Sequence, residues 1–309
     1  MRYPMHTDHR ELQLAAVLLA VTCVLAFAPD AYLPMLVRSG MRIGAWALLL
    51  VSLWCLWRRW WWGMGSSNLA AVIILVHTQV PALAPTTHLE HGLRVAHFNV
   101  LQPNRQRSEV IEAIRATNAE LVSVQEVDEV WAAALIDGLG KAYPFHHVVP
   151  RSDCYGIALF SRRPFQQVTT VEVQGTPFIE AVVPAGEQRV RLLVVHATSP
   201  TSLRHHQRRN AQLRELSMLL TDSPLPTVLV GDLNTVHWDE AFRALCVGSG
   251  SRPVVPPSAR TWPAMGPFAL IPLDHVLLSP GMGYSALALC DIPGSDHRGL
   301  VADISPLTP

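Results

Sequence analysis

The segment Val-Leu-Val-Gly-Asp at 228–232 decides the fold, because a short β-rich run ends directly in a carboxylate and this pattern recurs along the chain. Similar runs end at Asn99, Glu126 and His196. Taken singly, a polar residue after a strand is most simply a turn residue or a helix N-cap. Their repetition favours a shared site, since rigid sheets position functional side chains on the loops at strand ends.

Eight β-rich runs predict strands between stretches of helical spacing. They are Leu93–Asn99, Leu121–Gln125, Gly156–Ser161, Val168–Val173, Arg189–His196, Thr227–Gly231, Asp274–Leu278 and Gly299–Ile304. Three apolar helix faces are predicted as well: Val110, Ile111 and Ile114; Val130, Ala133, Ala134 and Ile136; Leu213, Leu216, Leu219 and Leu220. Mixed strands and helices predict one α/β domain over residues 90–309, with sheets inside and helices outside.

The N-terminal region, residues 1–85, is predicted to lie in a membrane. Leu12 to Ala28, Ile43 to Trp57 and Leu69 to Leu83 are apolar runs, and we predict about three transmembrane helices at these positions. Tryptophans surround Arg58 and Arg59, as expected where a helix end meets lipid headgroups. The segment from Pro81 through His88 is interpreted as the linker that leaves the bilayer.

Two other interpretations of the first apolar run stay open. It could be a core helix, although tandem runs favour a membrane. It could also be a cleaved signal peptide, since Ala26-Phe27-Ala28 has the small-x-small form, although Pro29 disfavours cleavage. Arg2, Arg10, Arg58 and Arg59 would lie inside if the N-terminus is cytoplasmic, which predicts a multi-pass cell-membrane protein whose second domain, residues 90–309, is extracytoplasmic.

The charge of the second domain bears on its partners. Residues 1–89 hold six of the 24 Lys/Arg and three of the 24 Asp/Glu, which leaves 18 basic and 21 acidic residues from Glu90 onward. The resulting net charge of about −3 matches long nucleic acid poorly, because such partners favour basic surfaces. The five cysteines show no CxxC spacing, so neither a zinc site nor a disulfide framework is predicted.

Six motifs follow one another in the second domain. They are Phe-Asn-Val at 98–100, Gln-Glu-Val at 125–127, Tyr-Gly-Ile-Ala-Leu-Phe-Ser-Arg at 155–162, Gly-Asp-Leu-Asn at 231–234, Leu-Asp-His-Val at 273–276 and Ser-Asp-His at 295–297. Over roughly Leu93 to Ile304 the chain resembles the endonuclease/exonuclease/phosphatase superfamily, which includes nucleases, inositol phosphatases and neutral sphingomyelinases. The resemblance implies a four-layer sandwich of two packed β-sheets flanked by helices.

The resemblance also implies a divalent metal. Hydrolysis of a phosphate ester requires charge neutralisation and an activated water, so a hard cation with oxygen ligands is expected, Mg²⁺ first and Mn²⁺ next. Glu126 would be the principal ligand, with Asn99 beside it and Asp296 in or near the same coordination sphere.

Catalytic roles follow from the same resemblance. Asp232 would orient and deprotonate the attacking water, and Asn234 would hold that water or a phosphate oxygen. His297 would contact the phosphate or act as the base, with Asp274 fixing its tautomer. His196 would donate to the same phosphoryl oxygens. Whether Asp232 or His297 is the base stays open at this point.

Two positions depart from the pattern of the superfamily. Many relatives carry Thr or Ser before the Phe/Trp-Asn pair, where this chain has His97; we interpret it as a packed histidine, with a contact behind the site as the alternative. Pro272 stands where relatives often have Arg, so one basic contact would be missing.

Two segments have a simple and a functional interpretation. A basic run follows His196: Arg204, His205, His206, Arg208, Arg209 and Arg214. A solvated helix start is the simple interpretation, and a patch for anionic headgroups or a phosphorylated substrate is the alternative. Arg209 and Gln212 match a superfamily helix, which favours a structural role. Residues 248–257 predict a surface loop, with a rim loop of the active site as the alternative.

These observations predict a membrane-anchored, metal-dependent phosphodiesterase or phosphatase. Anchoring through the N-terminal helices suggests a lipid-linked or surface-confined substrate. An extracytoplasmic nuclease is a rival, disfavoured by the acidic domain, and a non-catalytic membrane-tethered binding module is another, disfavoured because every core position of the site is filled. A transport protein is disfavoured because His77 is the one ionisable residue within the predicted spans.

Overall fold

The computed structural model describes residues 9–86, 92–266 and 268–307. These fall into two units. The N-terminal unit runs to Val80 and includes residues 237–240, and the catalytic unit comprises the rest, from Pro81 onward. Arg2 and the last two residues of the predicted linker, 87 and 88, lie outside the described residues.

Four helices make up the N-terminal unit: α1 His9–Phe27, α2 Tyr32–Ser39, α3 Met41–Trp57 and α4 Trp61–His77. The predicted helix at 69–83 is wrong in its bounds, because α4 begins eight residues earlier and ends at His77. Two causes are visible. The Glu11 carboxylate accepts the N–H groups of Trp62 and Gly63 at 2.9 and 3.1 Å, which satisfies the first turn of α4. Pro81 disfavours helix in the residue that precedes it.

Helix length bears on the membrane prediction. Within the described residues α1 is long and apolar enough by itself to cross a membrane, with 19 residues. The pair α2 and α3 passes the same test only when taken together, across a 60° bend. Helices α3 and α4 have 17 residues each and do not pass this test singly, so by length and composition the described residues support one spanning helix, or two if the bent pair is one span. The Arg58 guanidinium lies over the rings of Trp54 and Trp60, at 5.9 and 5.6 Å, as expected at a membrane interface.

Two six-stranded sheets form the catalytic unit. The first has the order β11-β12-β1-β2-β4-β3 and the second the order β5-β6-β7-β8-β10-β9. The strands are β1 Leu93–Asn99, β2 Leu121–Gln125, β3 Phe145–Val149, β4 Ile157–Ser161, β5 Gln167–Val173, β6 Thr176–Ala185, β7 Gln188–His196, β8 Thr227–Asp232, β9 Arg252–Pro253, β10 Asp274–Leu278, β11 Met282–Asp291 and β12 Arg298–Pro306. The helices are α5 Arg107–Ala116, α6 Glu129–Leu139, α7 Leu203–Thr221 and α8 Glu240–Ser249.

The sheets pack face to face over a buried aliphatic core that includes Val95, Leu159, Leu192 and Val228. Helices α5 and α6 cover the outer face of the first sheet through a second cluster around Phe98. A third cluster joins α7 and α8 to the outer face of the second sheet. The layers are therefore helix, sheet, sheet and helix, which confirms the predicted four-layer sandwich.

All eight predicted strands are present, to within a residue or two at their ends. The predicted face of α6 is wrong. Trp131, Leu135 and Leu139 are fully buried at helical spacing, whereas Val130 and Ile136 are exposed. The Asp128 carboxylate accepts the Trp131 N–H at 2.7 Å, and this N-cap sets where the helix begins and which side faces the sheet.

Strand pairing brings the four polar strand ends together. Strands β1 and β2 are parallel neighbours, and β7 and β8 are parallel neighbours in the other sheet. In the second pair His196 lies opposite Asp232, and Asp274 at the start of β10 lies opposite Asp232 from the other side. The carboxyl ends of these parallel strands lie at one edge of the sandwich, where both sheets contribute residues.

Candidate active site

A buried chain of side chains centres on Asp274. The Nδ1–H of His297 donates to Asp274 Oδ2 at 2.9 Å, and the Nε2–H of His97 donates to Asp274 Oδ1 at 2.8 Å. The Ser123 hydroxyl lies 3.3 Å from His97 Nδ1. The interpretation of His97 as a merely packed histidine is therefore wrong, because a residue on a strand of the first sheet reaches a carboxylate of the second.

Asp232 lies at the centre of the edge and accepts bonds from two asparagines. The Asn234 backbone N–H donates to Oδ1 at 2.8 Å, and the Asn234 amide donates to Oδ2 at 3.3 Å. The Asn99 amide donates to Oδ2 at 3.4 Å. Two imidazole nitrogens face the same oxygen, His297 Nε2 at 3.7 Å and His196 Nε2 at 3.8 Å. The structure thus brings four other predicted site residues around one carboxylate oxygen of Asp232.

Burial and neighbouring charge set the protonation of this cluster. Burial raises the pKa of Asp232, and the charge of Asp274 raises it further, to about 8. Burial alone would lower the pKa of His297, but the charge and hydrogen bond of Asp274 outweigh it and raise the pKa to about 10. Burial would likewise raise the pKa of Asp274, yet the two histidines hold it well below its usual range. Burial lowers the pKa of His196 to about 3, so that imidazole is neutral.

Glu126 follows β2 at a strained backbone position. Its φ is +65°, in the left-handed region that a non-glycine residue adopts where the surrounding structure enforces it. The Gln102 N–H donates to Glu126 Oε2 at 2.9 Å. Burial raises the pKa of Glu126, and hydrogen bonds from Gln102 and Asn99 offset part of that effect. Such a carboxylate gains from a cation beside it.

Asp296 has one occupied and one free carboxylate oxygen. The Trp262 indole N–H donates to Oδ2 at 2.9 Å. Oδ1 is buried and has no hydrogen-bond partner among the described residues. The charge of Asp296 raises the pKa of Glu126, so the two carboxylates act on one another. Oxygen donors from Glu126, Asn99 and Asp296 suit a hard divalent cation, because carboxylate and amide oxygens are what Mg²⁺ and Mn²⁺ prefer.

A second set of possible metal ligands lies close by. Ligand atoms of Asp232, Asp274 and His297 lie within 4.8 Å of one another. Both oxygens of Asp274 already accept imidazole N–H groups, and His297 uses Nδ1 for one of these bonds. These atoms therefore have few lone pairs left for a metal ion, and the group of Glu126, Asn99 and Asp296 fits a cation better.

Supporting residues that the sequence did not single out hold the site in place. The side-chain oxygen Oε1 of Gln125 accepts the Asp232 backbone N–H at 3.1 Å, and the side-chain NH₂ group of Gln125 donates to the Val195 backbone carbonyl oxygen. A side chain at Gly231, where φ is +151°, would meet Val195 O at 1.8 Å, so only glycine allows this approach. The Ser295 hydroxyl donates to the Asn99 carbonyl oxygen at 2.7 Å and accepts the His297 N–H at 3.0 Å.

The basic run on α7 is partly explained by the site. Arg209 is fully buried, and its guanidinium donates to the Asn234 carbonyl oxygen at 3.3 Å. Gln212 is also fully buried, and its side-chain oxygen Oε1 accepts the Thr198 backbone N–H at 2.8 Å. The predicted structural role of these two residues agrees with their contacts. Neither is positioned as a surface patch.

A cavity of about 230 Å³ opens beside His297. Its wall includes Ser295, Arg298 and Ile292 from the chain around β12, and Ala264 and Gly266 from the segment before β10. A substrate that reaches His297 through this cavity would contact both segments.

The sequence and the fold match known proteins. A sequence model of the Endonuclease/Exonuclease/phosphatase family matches residues 96–297, and the chain therefore belongs to this family. No curated protein sequence matches the chain.

Solved structures share the fold. The endonuclease/exonuclease/phosphatase from Beutenbergia cavernae DSM 12333 has a TM-score of 0.58 at 19% identity, covering 71% of this chain and 72% of that one. D. rerio TDP2 complexed with single strand DNA product has a TM-score of 0.57 at 17% identity, over 70% and 100%. Sphingomyelinase C from Streptomyces griseocarneus has a TM-score of 0.52 at 19% identity, over 69% and 99%. At such identities these likenesses establish the fold alone.

Proposed function

We propose that this chain is a divalent-metal-dependent phosphoesterase, a phosphodiesterase or phosphatase, tethered to a membrane by its N-terminal helices. The observation that carries the proposal is the convergence of Asn99, Asp232, His196 and His297 on one buried point, with Glu126 beside it. Asparagine and histidine donors around a point suit an anionic group such as a phosphoryl oxygen.

The metal would be held by Glu126, Asn99 and Asp296, as Mg²⁺ or Mn²⁺. When bound, it would supply charge neutralisation at the phosphoryl oxygens and a more acidic water. The raised pKa of Glu126 and the free Oδ1 of Asp296 support this assignment, because both groups gain a partner from the cation.

We assign the base to Asp232 and the phosphate contact to His297. Because the pKa of His297 is raised to about 10, the imidazole keeps its proton at neutral pH and can donate from Nε2. Burial and the charge of Asp274 raise the pKa of Asp232 to about 8, so its deprotonated form is a stronger base than an ordinary carboxylate, and the share of that form grows as the pH rises toward 8. Asn234 would hold the attacking water or a phosphoryl oxygen, and Asp274 would fix the tautomer of His297. Neutral His196 would donate to the same oxygens.

The proposed substrate is a phosphate ester, with a lipid-linked one favoured. Structural neighbours include a sphingomyelinase and a protein bound to a DNA product, so the fold serves both kinds of substrate. The net charge of about −3 from Glu90 onward favours a compact phosphate ester over a nucleic acid. An extracytoplasmic nuclease is the alternative that the assay below can detect.

The test is hydrolysis by the full chain purified in mild detergent. We expect it to cleave bis(p-nitrophenyl) phosphate with Mg²⁺ or Mn²⁺, to lose this activity in EDTA and to regain it when metal is restored. His297→Ala should abolish most of the activity, whereas His146→Ala, at an exposed histidine on β3, should not. Comparing p-nitrophenyl phosphate and single-stranded DNA would separate diesterase, phosphatase and nuclease. Full activity in EDTA would refute the metal-dependent mechanism.

The tether and its direction need a separate experiment. We propose three crossings through α1, α3 and α4, with Arg58 and Arg59 in the cytoplasm and the catalytic unit outside. Alkaline phosphatase fused after Leu83 should then be active in cells. An inactive phosphatase together with an active cytoplasmic reporter at the same position would reverse the orientation, and a chain released by high salt would contradict the tether.

A further inference from the structure

A short hairpin forms one wall of the cavity beside His297. Its described residues are 261–266 and 268–271, and we call it the 261–271 hairpin. The Trp262 N–H donates to Ile271 O at 2.9 Å, and Met265 and Phe268 exchange backbone hydrogen bonds of 2.7 and 3.2 Å near the turn. Ala264 and Gly266 of this hairpin line the cavity. What touches the hairpin therefore lies at the entrance to the site.

The base of the hairpin is fixed to the residues around His297. The Ala264 N–H donates to the Asp296 carbonyl oxygen at 2.6 Å, and the Trp262 indole donates to the Asp296 carboxylate at 2.9 Å. The Arg298 N–H donates to the Thr261 carbonyl oxygen at 2.9 Å. These three bonds fix the first strand of the hairpin to the chain around His297.

The tip exposes large apolar side chains. Phe268 is 71% exposed, Met265 is 56% exposed and Leu270 is 38% exposed. In the rest of the described catalytic unit, no other stretch of six residues carries three exposed large apolar side chains. Single exposed apolar residues are common on soluble surfaces, but a cluster marks a surface that contacts something apolar.

The distribution of charged residues around the hairpin bears on which partner its apolar tip would contact. Residues 261–271 contain no charged side chain, whereas Arg260 precedes the hairpin and Arg298 adjoins its base. An apolar tip flanked by arginines suits a bilayer interface, where acyl chains lie beneath phosphate headgroups. A protein partner would be expected to meet polar groups as well, and the exposed side chains of the tip are apolar.

The chain itself would keep the attachment point of the catalytic unit near a bilayer. Only five residues lie between the end of α4 at His77 and Leu83, whose N–H donates to Pro253 O at 2.8 Å in the catalytic unit. A fully extended chain of that length spans at most about 20 Å. If the N-terminal helices lie in the membrane, the attachment point of the catalytic unit stays within that reach.

We propose that the 261–271 hairpin inserts Met265, Phe268 and Leu270 into the bilayer interface and so brings the cavity beside His297 onto the headgroups of membrane lipids. This inference rests on the proposed function and deepens it, because it names the substrate class as a phosphate ester in a lipid headgroup.

Photo-crosslinking tests the insertion without any activity measurement. The full chain carries p-benzoylphenylalanine in place of Phe268 and is reconstituted in vesicles of phosphatidylcholine and phosphatidylglycerol. Val247 on α8 is the matched control position, since it is apolar and 83% exposed. Lipid adducts found by mass spectrometry at position 268 and not at 247 are expected. No lipid adduct above the control level, or a crosslink to a second protein chain alone, would overturn the proposal.

Kinetics separate this proposal from the proposed function. In the same vesicles the double variant Met265→Ser/Phe268→Ser should lower kcat/KM about tenfold or more for a headgroup-labelled phosphatidylcholine, since both side chains lose apolar burial. Hydrolysis of bis(p-nitrophenyl) phosphate in the same preparation should stay within about twofold, as should both rates for Val247→Ser. Failure to hydrolyse any phosphate ester contradicts the proposed function, while the crosslinking result still decides the hairpin.

Discussion

Removing the donor at His97 should destabilise the protein more than it slows the reaction. Asp274 is fully buried, and its Oδ1 accepts the His97 Nε2–H at 2.8 Å. His97→Leu keeps much of the volume but leaves that oxygen without a donor. A hydrogen bond to a charged buried group contributes about 1.5–3 kcal/mol, so the free energy of unfolding should fall by about that amount. For a domain of this size each kcal/mol corresponds to roughly 2–4 °C, which predicts a melting temperature lower by about 3–12 °C.

The rate should respond through Asp274. With one of two donors lost, Asp274 would hold His297 less firmly, and we expect hydrolysis of bis(p-nitrophenyl) phosphate to fall about tenfold with KM nearly unchanged. His97→Gln is the matched control, because its amide can still donate to Oδ1. It should recover most of both losses.

Thermal unfolding in detergent, followed by intrinsic fluorescence, measures the stability, and initial rates with saturating Mg²⁺ measure the activity. If His97→Leu melts at the wild-type temperature or above, Asp274 does not depend on this donor and the reasoning is refuted. If Leu and Gln variants behave alike, the effect is one of packing rather than of hydrogen bonding.

The remaining predictions concern the site itself. His297→Ala should lower kcat by a factor of about 10²–10⁴ without unfolding the protein. Asp274→Asn should lower kcat by a smaller factor. Wild-type turnover of the His297→Ala variant would exclude the role assigned to His297. Glu126→Ala should weaken metal binding, so that excess Mg²⁺ partly restores the rate, and a rate independent of Mg²⁺ concentration would contradict this. The folded protein raises the pKa of His297 to about 10, so in EDTA the stabilisation from its protonated imidazole should be complete below about pH 6.5 and lost as the pH rises toward 10. The melting temperature should therefore fall between pH 7 and 10. In the His297→Gln variant this fall should be smaller.

The strands that hold the site could be predicted from sequence because each combines β-rich runs with a polar end. Strands that lack this signal were missed. Strand β3 is an edge strand with two histidines, and β6 contains Pro177 and Pro184. Strand β11 lies at another edge and shows only a weak alternation of apolar and polar residues. Helix α8 was missed as well. Such elements form because neighbouring strands and the core stabilise them, and a local pattern carries little of that information.

The site residues at strand ends could be found for the same reason, whereas their supports could not. Nothing local marks Trp262 as the donor to Asp296, since 34 residues separate them in the chain. His97 was noticed as a departure from the superfamily pattern, but its partner Asp274 is 177 residues away. Long-range pairing of this kind depends on how two sheets are stacked, which the sequence of either strand does not specify.

The polar residues of the site also join the two sheets. His97 on β1 reaches Asp274 on β10, and Gln125 on β2 reaches Val195 and Asp232 on β7 and β8. Elsewhere the sheets meet through aliphatic side chains, which pack in many registers at similar cost. Buried polar groups tolerate few arrangements, because each unpaired donor or acceptor is costly. The residues proposed for catalysis therefore also fix how the sheets align at this edge, and a variant that breaks one of these bonds should lose stability and activity together.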